Sequence, residues 1–248
     1  MHRFYSENIS GSTVTIDGTD VGHIRNVLRL RPGDRILVGD GAGREYTCCI
    51  ESMDEDSVTA AIEDVNDVYS ELPARITLYQ GVPKGDKLEL IIQKAVELGV
   101  YKVVPVMMER TVVKLDAVRD AAKIEKRVRR YRMIAESAAK QSGRGIVPEV
   151  ESFVDMDKAV AMASEGTAIL VPYESARGID YTREVMADMV GRESISVFIG
   201  PEGGFSDGEI DRLSAAGGRI ITLGRRILRT ETAGLTTLSI LMYELEGR

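Results

Sequence analysis

The chain has no tryptophan, only two histidines and only two cysteines in 248 residues. With His2 and His23 alone, neither a histidine-based metal centre nor a Ser-His-Asp triad is expected. Cys48 and Cys49 are adjacent in a strand-like run from Tyr46 to Ile50. Neighbours of that kind do not readily bridge, and two thiols make no zinc framework. They read as reduced strand residues of a cytoplasmic protein. No stretch approaches the roughly eighteen apolar residues of a membrane span. The opening MHRFYSEN has no apolar core of a secretory leader. No metal, no membrane and no export are the expectations.

Positive charge is also in the minority, with a formal net charge of −7. The remaining composition, 44% hydrophobic and 29% charged, is that of a soluble globular chain long enough to bury a proper core. The net value argues weakly against a nucleic-acid partner, but a whole-chain sum hides local fields. Between Arg110 and Arg144, eleven cations oppose four acids. A second cluster, RNVLRLRPGDR, carries Arg25, Arg29, Arg31 and Arg35 against Asp34. One such cluster is commonly a solvated helix face. Two in an acidic chain favour a polyanion partner.

The pattern changes near residue 70. Residues 1–70 read as short alternating strands with turns, the composition of a small β-barrel, interrupted by one short helix, DVGHIRNVLRL. NDVYSELP, residues 66–73, reads as a linker. From residue 74 to 248 strands and helices alternate. ITLYQGV and KVVPVMM are strands, and KGDKLELIIQKAVELG is a helix with Leu88, Ile91, Ile92, Ala95 and Val96 on one face and Gly99 as its cap. A long basic helix is expected over 117–140. TAILVP, ISVFIG and RIITLG are the short apolar runs of a sheet buried on both faces. A capping box starts a helix at Ser206, and a last helix runs from about Thr230 to Leu245. The second part is α/β with a mostly parallel sheet.

In such sheets ligands bind beyond the carboxyl ends of the strands. Three strand-ending loops qualify: Val171-Pro172-Tyr173-Glu174, Ile199-Gly200-Pro201-Glu202-Gly203-Gly204 and Leu223-Gly224-Arg225-Arg226-Ile227-Leu228-Arg229. Glycines let main chain approach a ligand closely. Neither GxGxxG nor a phosphate loop is present, and Glu202 would repel a triphosphate. A neutral or cationic adenosine-type ligand fits better than ATP, and a glycine-rich turn without a ligand is the plain alternative.

Four motifs together, FIGPEGGFSDGEI, LGRRILRTETAGL, KGDKLELIIQKAVELGV and ESAAKQSGR, with RFY and HIRNVLRLRPGD ahead of them, closely resemble the ribosomal RNA small subunit methyltransferase E family of the SPOUT superfamily. The resemblance spans essentially the whole chain. It implies a PUA-like RNA-binding β-barrel at residues 1–70 and a SPOUT methyltransferase domain at 74–248. A deep trefoil knot over about 168–248, a rare exception to unthreaded topology, would hold S-adenosylmethionine. The cofactor residues implied are those of the three loops other than Glu202, Arg225 and Arg229, with Thr232 and Ala233 of the following helix. Family members act as homodimers on 16S rRNA in the small subunit and make N3-methyluridine near its 3′ end.

On that reading the enzyme aligns donor and nucleophile without a metal. Uridine N3 must lose its proton, and the charge that spreads to O2 and O4 calls for a cation. Arg229 is the candidate, helped by the positive end of the helix that follows it. Glu202 and Glu231 are the candidate bases, and neither is favoured. Arg3, Arg25, Arg29, Arg31, Lys84 and Arg144 are candidates for phosphate contact, and Phe205 or Tyr173 for stacking on an extruded base. The rivals are a related SPOUT enzyme with another RNA target and a non-catalytic RNA-binding assembly factor.

Overall fold

The computed structural model describes residues 1–67, 70–116, 118–163, 167–174 and 178–246. Val68 and Tyr69 of the expected linker and Ala117, the expected first residue of the basic helix, lie outside the described residues. Two compact units are present. One is Met1–Glu71 with Ala139–Val147, and the other is Leu72–Ala138 with Pro148–Arg248.

The first unit contains β1 (His2–Tyr5), β2 (Ile9–Ser10), β3 (Thr13–Asp17), a short helix α1 (Thr19–Gly22) widening into a π-type turn at His23–Val27, β4 (Arg35–Gly39), β5 (Arg44–Met53) and β6 (Ser57–Asp67). Alternation builds it. Ile36 and Val38, Tyr46, Cys48 and Ile50, and Val58 and Ala60 all point into one core with Phe4, Val14 and Ile16. Burial pushes the Cys48 thiol up to about 11, so it behaves as a small apolar side chain. The ladder runs β1-β4-β5-β6-β3-β2. Among the described residues it is an open half-barrel with β1 and β2 as its ends, short of the closed barrel expected from the turn pattern.

The last stretch of this unit is drawn in by charge. Lys140 pairs with Asp20 at 2.8 Å, and Arg144 lays its fork on Glu71 at 2.6 Å. Sequence alternation alone places 139–147 in the second domain, because a pairing with residues about seventy positions or more away leaves no local trace.

The second unit has β7 (Arg75–Gly81), α2 (Lys87–Glu97), β8 (Lys102–Met107), α3 (Ala121–Ser142, its last residues belonging to the first unit), β9 (Glu149–Val150), β10 (Val154–Asp155), α4 (Met156–Ala163), β11 (Ala168–Pro172), α5 (Ile179–Ala187), β12 (Ser194–Ile199), α6 (Asp207–Ala215), β13 (Arg219–Ile221) and α7 (Thr230–Glu246). The sheet order is β10-β8-β7-β12-β11-β13, with β9 beside β8. Every described pair in it is parallel. Ile195, Val197, Phe198 and Ile199 of β12 are all buried, as a strand covered on both faces requires. Phe198 stacks on Tyr79 with ring centroids 4.4 Å apart.

The helix over 87–97 buries Leu88, Ile91, Ile92, Ala95 and Val96, and Gly99 closes it at φ 87°. The capping box is formed: Ser206 Oγ accepts from Glu209 N–H, and the Glu209 carboxylate accepts from Ser206 N–H at 2.9 Å. Its other oxygen accepts from Glu109 N–H at 2.8 Å, which ties the start of α6 to the segment after β8. The helices α4 and α5 have no counterpart in the sequence reading, being too short to repeat a period.

Candidate functional site: a cavity at the carboxyl ends of the strands

β11 ends at Pro172, β12 at Ile199 and β13 at Ile221, and the chain beyond each surrounds one cavity of about 450 Å³. That size is ordinary for a small-molecule site. The first loop contributes Pro172, Tyr173 and Glu174, and the second contributes Ile199 through Phe205. The third contributes Leu223, Gly224, Arg226, Ile227 and Leu228, followed by Arg229 and Ala233. Local bonds fix these loops. Tyr173 N–H donates to Ile221 O at 2.8 Å, so the first loop is held by the third strand. Gly204 N–H donates to Pro201 O at 2.9 Å and closes a turn. Gly204 sits at φ 68°, where a side chain is strained.

Two of the expected cofactor residues lie elsewhere. Val171 is fully buried in the sheet core, because β11 continues through Pro172, the second residue of the loop as read. Thr232 points to a shallow groove on the outer face of α7, shared with Leu90, Leu235 and Tyr243. Conversely, Lys87, Thr222 and Thr230 line the cavity although none is among the expected cofactor residues. The only local signal is Lys87 at the start of an amphipathic helix, and that is ambiguous.

Glu202 is committed to structure. Its carboxylate accepts from Lys87 Nζ at 2.9 Å and from the backbone N–H of Lys84 at 3.1 and 3.3 Å. Burial opposes its ionisation, but the Lys87 hydrogen bond, backbone donors and the ammonium charge outweigh that and hold the carboxyl below its ordinary value. A carboxylate so stabilised is a weaker proton acceptor, which counts against Glu202 as the base. Glu202 in turn raises the Lys87 ammonium above its usual value. Glu231 lies 3.6 Å from the same ammonium. Lys87 therefore joins the glycine loop and the first turn of α7.

Family models match the chain twice: an RNA methyltransferase domain over residues 70–242 and an RNA methyltransferase PUA domain over 16–63. Ribosomal RNA small subunit methyltransferase E of Bacillus subtilis is 37% identical over 94% of this chain and 91% of its own length. The chain belongs to the ribosomal RNA small subunit methyltransferase E family. The Mycobacterium bovis member is 32% identical over 95% of this chain and 88% of its own. The Neisseria gonorrhoeae member, solved bound to S-adenosyl methionine, superposes with a TM-score of 0.81 at 33% identity, covering 96% of this chain and 95% of that one.

The basic candidates of this family member divide by burial. Arg25, Arg29, Arg31 and Lys84 are exposed. Arg29 stands out as the non-glycine residue at positive φ, 56°, among the described residues. Arg144 is different: its side chain is 3% exposed and its guanidinium is bonded to Glu71. Arg3 donates to Arg144 O at 2.8 Å and pairs with Glu45, with both side chains only 16% exposed. Both arginines tie the first unit together and present little to a phosphate, a correction that charge counting alone does not foresee. Phe205 is 2% exposed and packs its edge towards Tyr173, so Tyr173 is the ring still available for stacking.

Proposed function

We propose that this chain transfers the methyl group of S-adenosylmethionine to N3 of a uridine near the 3′ end of 16S rRNA in the small ribosomal subunit. The observation that carries the reading is the convergence of three strand-end loops on one cavity. The cavity suits an adenosine-type donor. Its second loop is glycine-rich, its third offers apolar Ile227 and Leu228, and its one lysine is already held by Glu202. Bound there, the donor supplies an electrophilic methyl. The protein supplies alignment, exclusion of water and a cation for the charge that grows on the uracil oxygens. Arg229 fits that last role: it lines the cavity, is exposed and directly precedes α7.

Residues 168–248 are proposed to carry the trefoil knot. Supporting this, β13 pairs with β11 although α5, β12 and α6 intervene, and the start of α7 is bonded back to Gly200. Arg25, Arg29, Arg31 and Lys84 are proposed to meet phosphate, and the cytoplasm is proposed as the compartment, a reading that a ribosomal RNA substrate supports. Recognition by scattered cations of a folded surface predicts much faster methylation on 30S particles than on protein-free 16S rRNA, and weakening as salt rises. Nucleoside mass spectrometry after incubation with undermethylated particles checks both. Equal rates on a short naked oligonucleotide would remove the assembled subunit as the substrate.

The outer face of α7 supports a homodimer. Tyr243 is 76% exposed and Leu90 46%, beside a groove lined by Leu235 and Ile240. A second copy of the same chain is the proposed cover, since a self-complementary patch is what two-fold pairing needs. Sedimentation of the wild type is expected to give a dimer, and Tyr243→Glu, which puts a charge in that face, a monomer. A wild type that sediments as a monomer would end the proposal.

A further inference from the structure

Gln80 is fully buried at the end of β7, in a position whose neighbours Leu78, Tyr79 and Val82 are buried apolar side chains. A polar group there is costly unless it is bonded. Its amide nitrogen donates twice, to Gly81 O at 3.0 Å and to Thr230 Oγ1 at 2.8 Å. Thr230, itself 5% exposed, donates its own hydroxyl hydrogen bond to Gly200 O at 2.6 Å. The orientation of the amide is settled by chemistry, because flipping it would set its oxygen against the Gly81 carbonyl. The amide oxygen is left without a hydrogen-bond partner. Leucine would fill the space without that penalty, so the amide serves as a donor and not as packing.

We propose that Gln80 is a positioning residue for methyl transfer, acting through Thr230. The relay joins three segments: the end of β7, Gly200 at the entry to the glycine loop, and the first residue of α7. Arg229 is the residue directly before Thr230. One buried amide therefore sets both the donor loop and the backbone that carries the cation. The inference rests on the methyl-transfer reading above. It adds a residue that lines no cavity and belongs to no binding motif.

The test is calorimetric binding of S-adenosylmethionine and single-turnover methylation of 30S particles by the wild type, Gln80→Leu, Thr230→Val, the double variant and Thr230→Ser. Each of the first two variants is expected to weaken donor binding about tenfold, the scale of one lost buried hydrogen bond. The double variant should lose no more than the worse single, because both break the same relay. Thr230→Ser keeps the hydroxyl and should restore most of the affinity. If Gln80→Leu does not fold, Gln80→Asn, with the same amide on a shorter arm, takes its place and should show the same non-additivity with Thr230→Val. Losses that add, or melting temperatures that fall while donor affinity and rate stay at wild-type values, would overturn the proposal and leave Gln80 as core structure. A wild type that binds no S-adenosylmethionine would overturn the methyl-transfer reading itself, a result distinct from either.

Discussion

Arg229→Ala is expected to lower kcat by on the order of a hundredfold or more, the scale seen when one preorganised oxyanion donor is removed. In the role proposed for it, the guanidinium would meet charge that grows on the uracil oxygens as N3 gives up its proton and attacks, so its contribution would belong to the transition state. Donor affinity should change far less. Arg229 is exposed and is one lining residue among many, with Gly200, Gly204, Ile227 and Leu228 also lining the cavity. Arg229→Lys should rescue in part, because a point charge does not reproduce a planar fork. Single-turnover methylation of 30S particles, run beside calorimetric donor binding, separates the two effects. A variant that loses donor binding yet keeps its rate at saturation would make Arg229 a cofactor residue.

The second large effect is expected from a single methyl group at Gly81. This glycine ends β7, and a Cβ built on it would lie 2.5 Å from Pro201 N, 2.6 Å from Pro201 Cδ and 2.9 Å from Gly200 C. None of these is the far end of a flexible side chain. They are backbone and ring atoms of the glycine loop, so the loop itself must move. Overpacking of this kind costs about 1–3 kcal/mol, and here the displaced segment is a wall of the cavity. Gly81→Ala should abolish donor binding at concentrations that saturate the wild type while far-ultraviolet circular dichroism stays native. Gly203 is confined in a similar way: a Cβ there would lie 2.9 Å from Arg110 Cβ and 3.3 Å from Arg110 O, neither of them the free end of a side chain. Gly81→Ala with wild-type donor affinity would show that the loop tolerates the shift.

The parts of this fold that are written locally are the parts the sequence discloses. A strand covered on both faces must be apolar throughout, and a loop that turns sharply at its end must contain glycine or proline. Hence β11, β12 and β13 and the loops after them stand out in the primary structure. The capping box at Ser206 and Glu209 and the apolar face of α2 are local for the same reason. Contacts across long separations leave no such mark. Lys87 looks like any lysine in a first helical turn until Glu202 and Glu231 arrive beside it. Arg144 looks like a surface cation until Glu71 buries it. Gln80 breaks an apolar strand, a weak hint, and its meaning depends on a hydroxyl 150 residues away. Val171 shows the other kind of error, since it lies where the strand and loop readings overlap and belongs to the core.

Helix α3 gives the chain an awkward order of birth. Its body belongs to the second unit, but Ala139–Ser142 and the residues through Val147 belong to the first. Residues leave a translating ribosome from the amino end, and units that are continuous in sequence fold as they emerge. This first unit has no such freedom. When Glu71 appears, its guanidinium partner is still unmade, and Asp20 likewise lacks Lys140. While β7, α2, β8 and most of α3 are synthesised, the open sheet lacks both of these ion pairs. A fragment ending at residue 71 would keep that unfinished condition permanently, so the two units are not interchangeable modules that evolution or a protease can part with one cut. The amino-terminal unit is completed only once Val147 has been made.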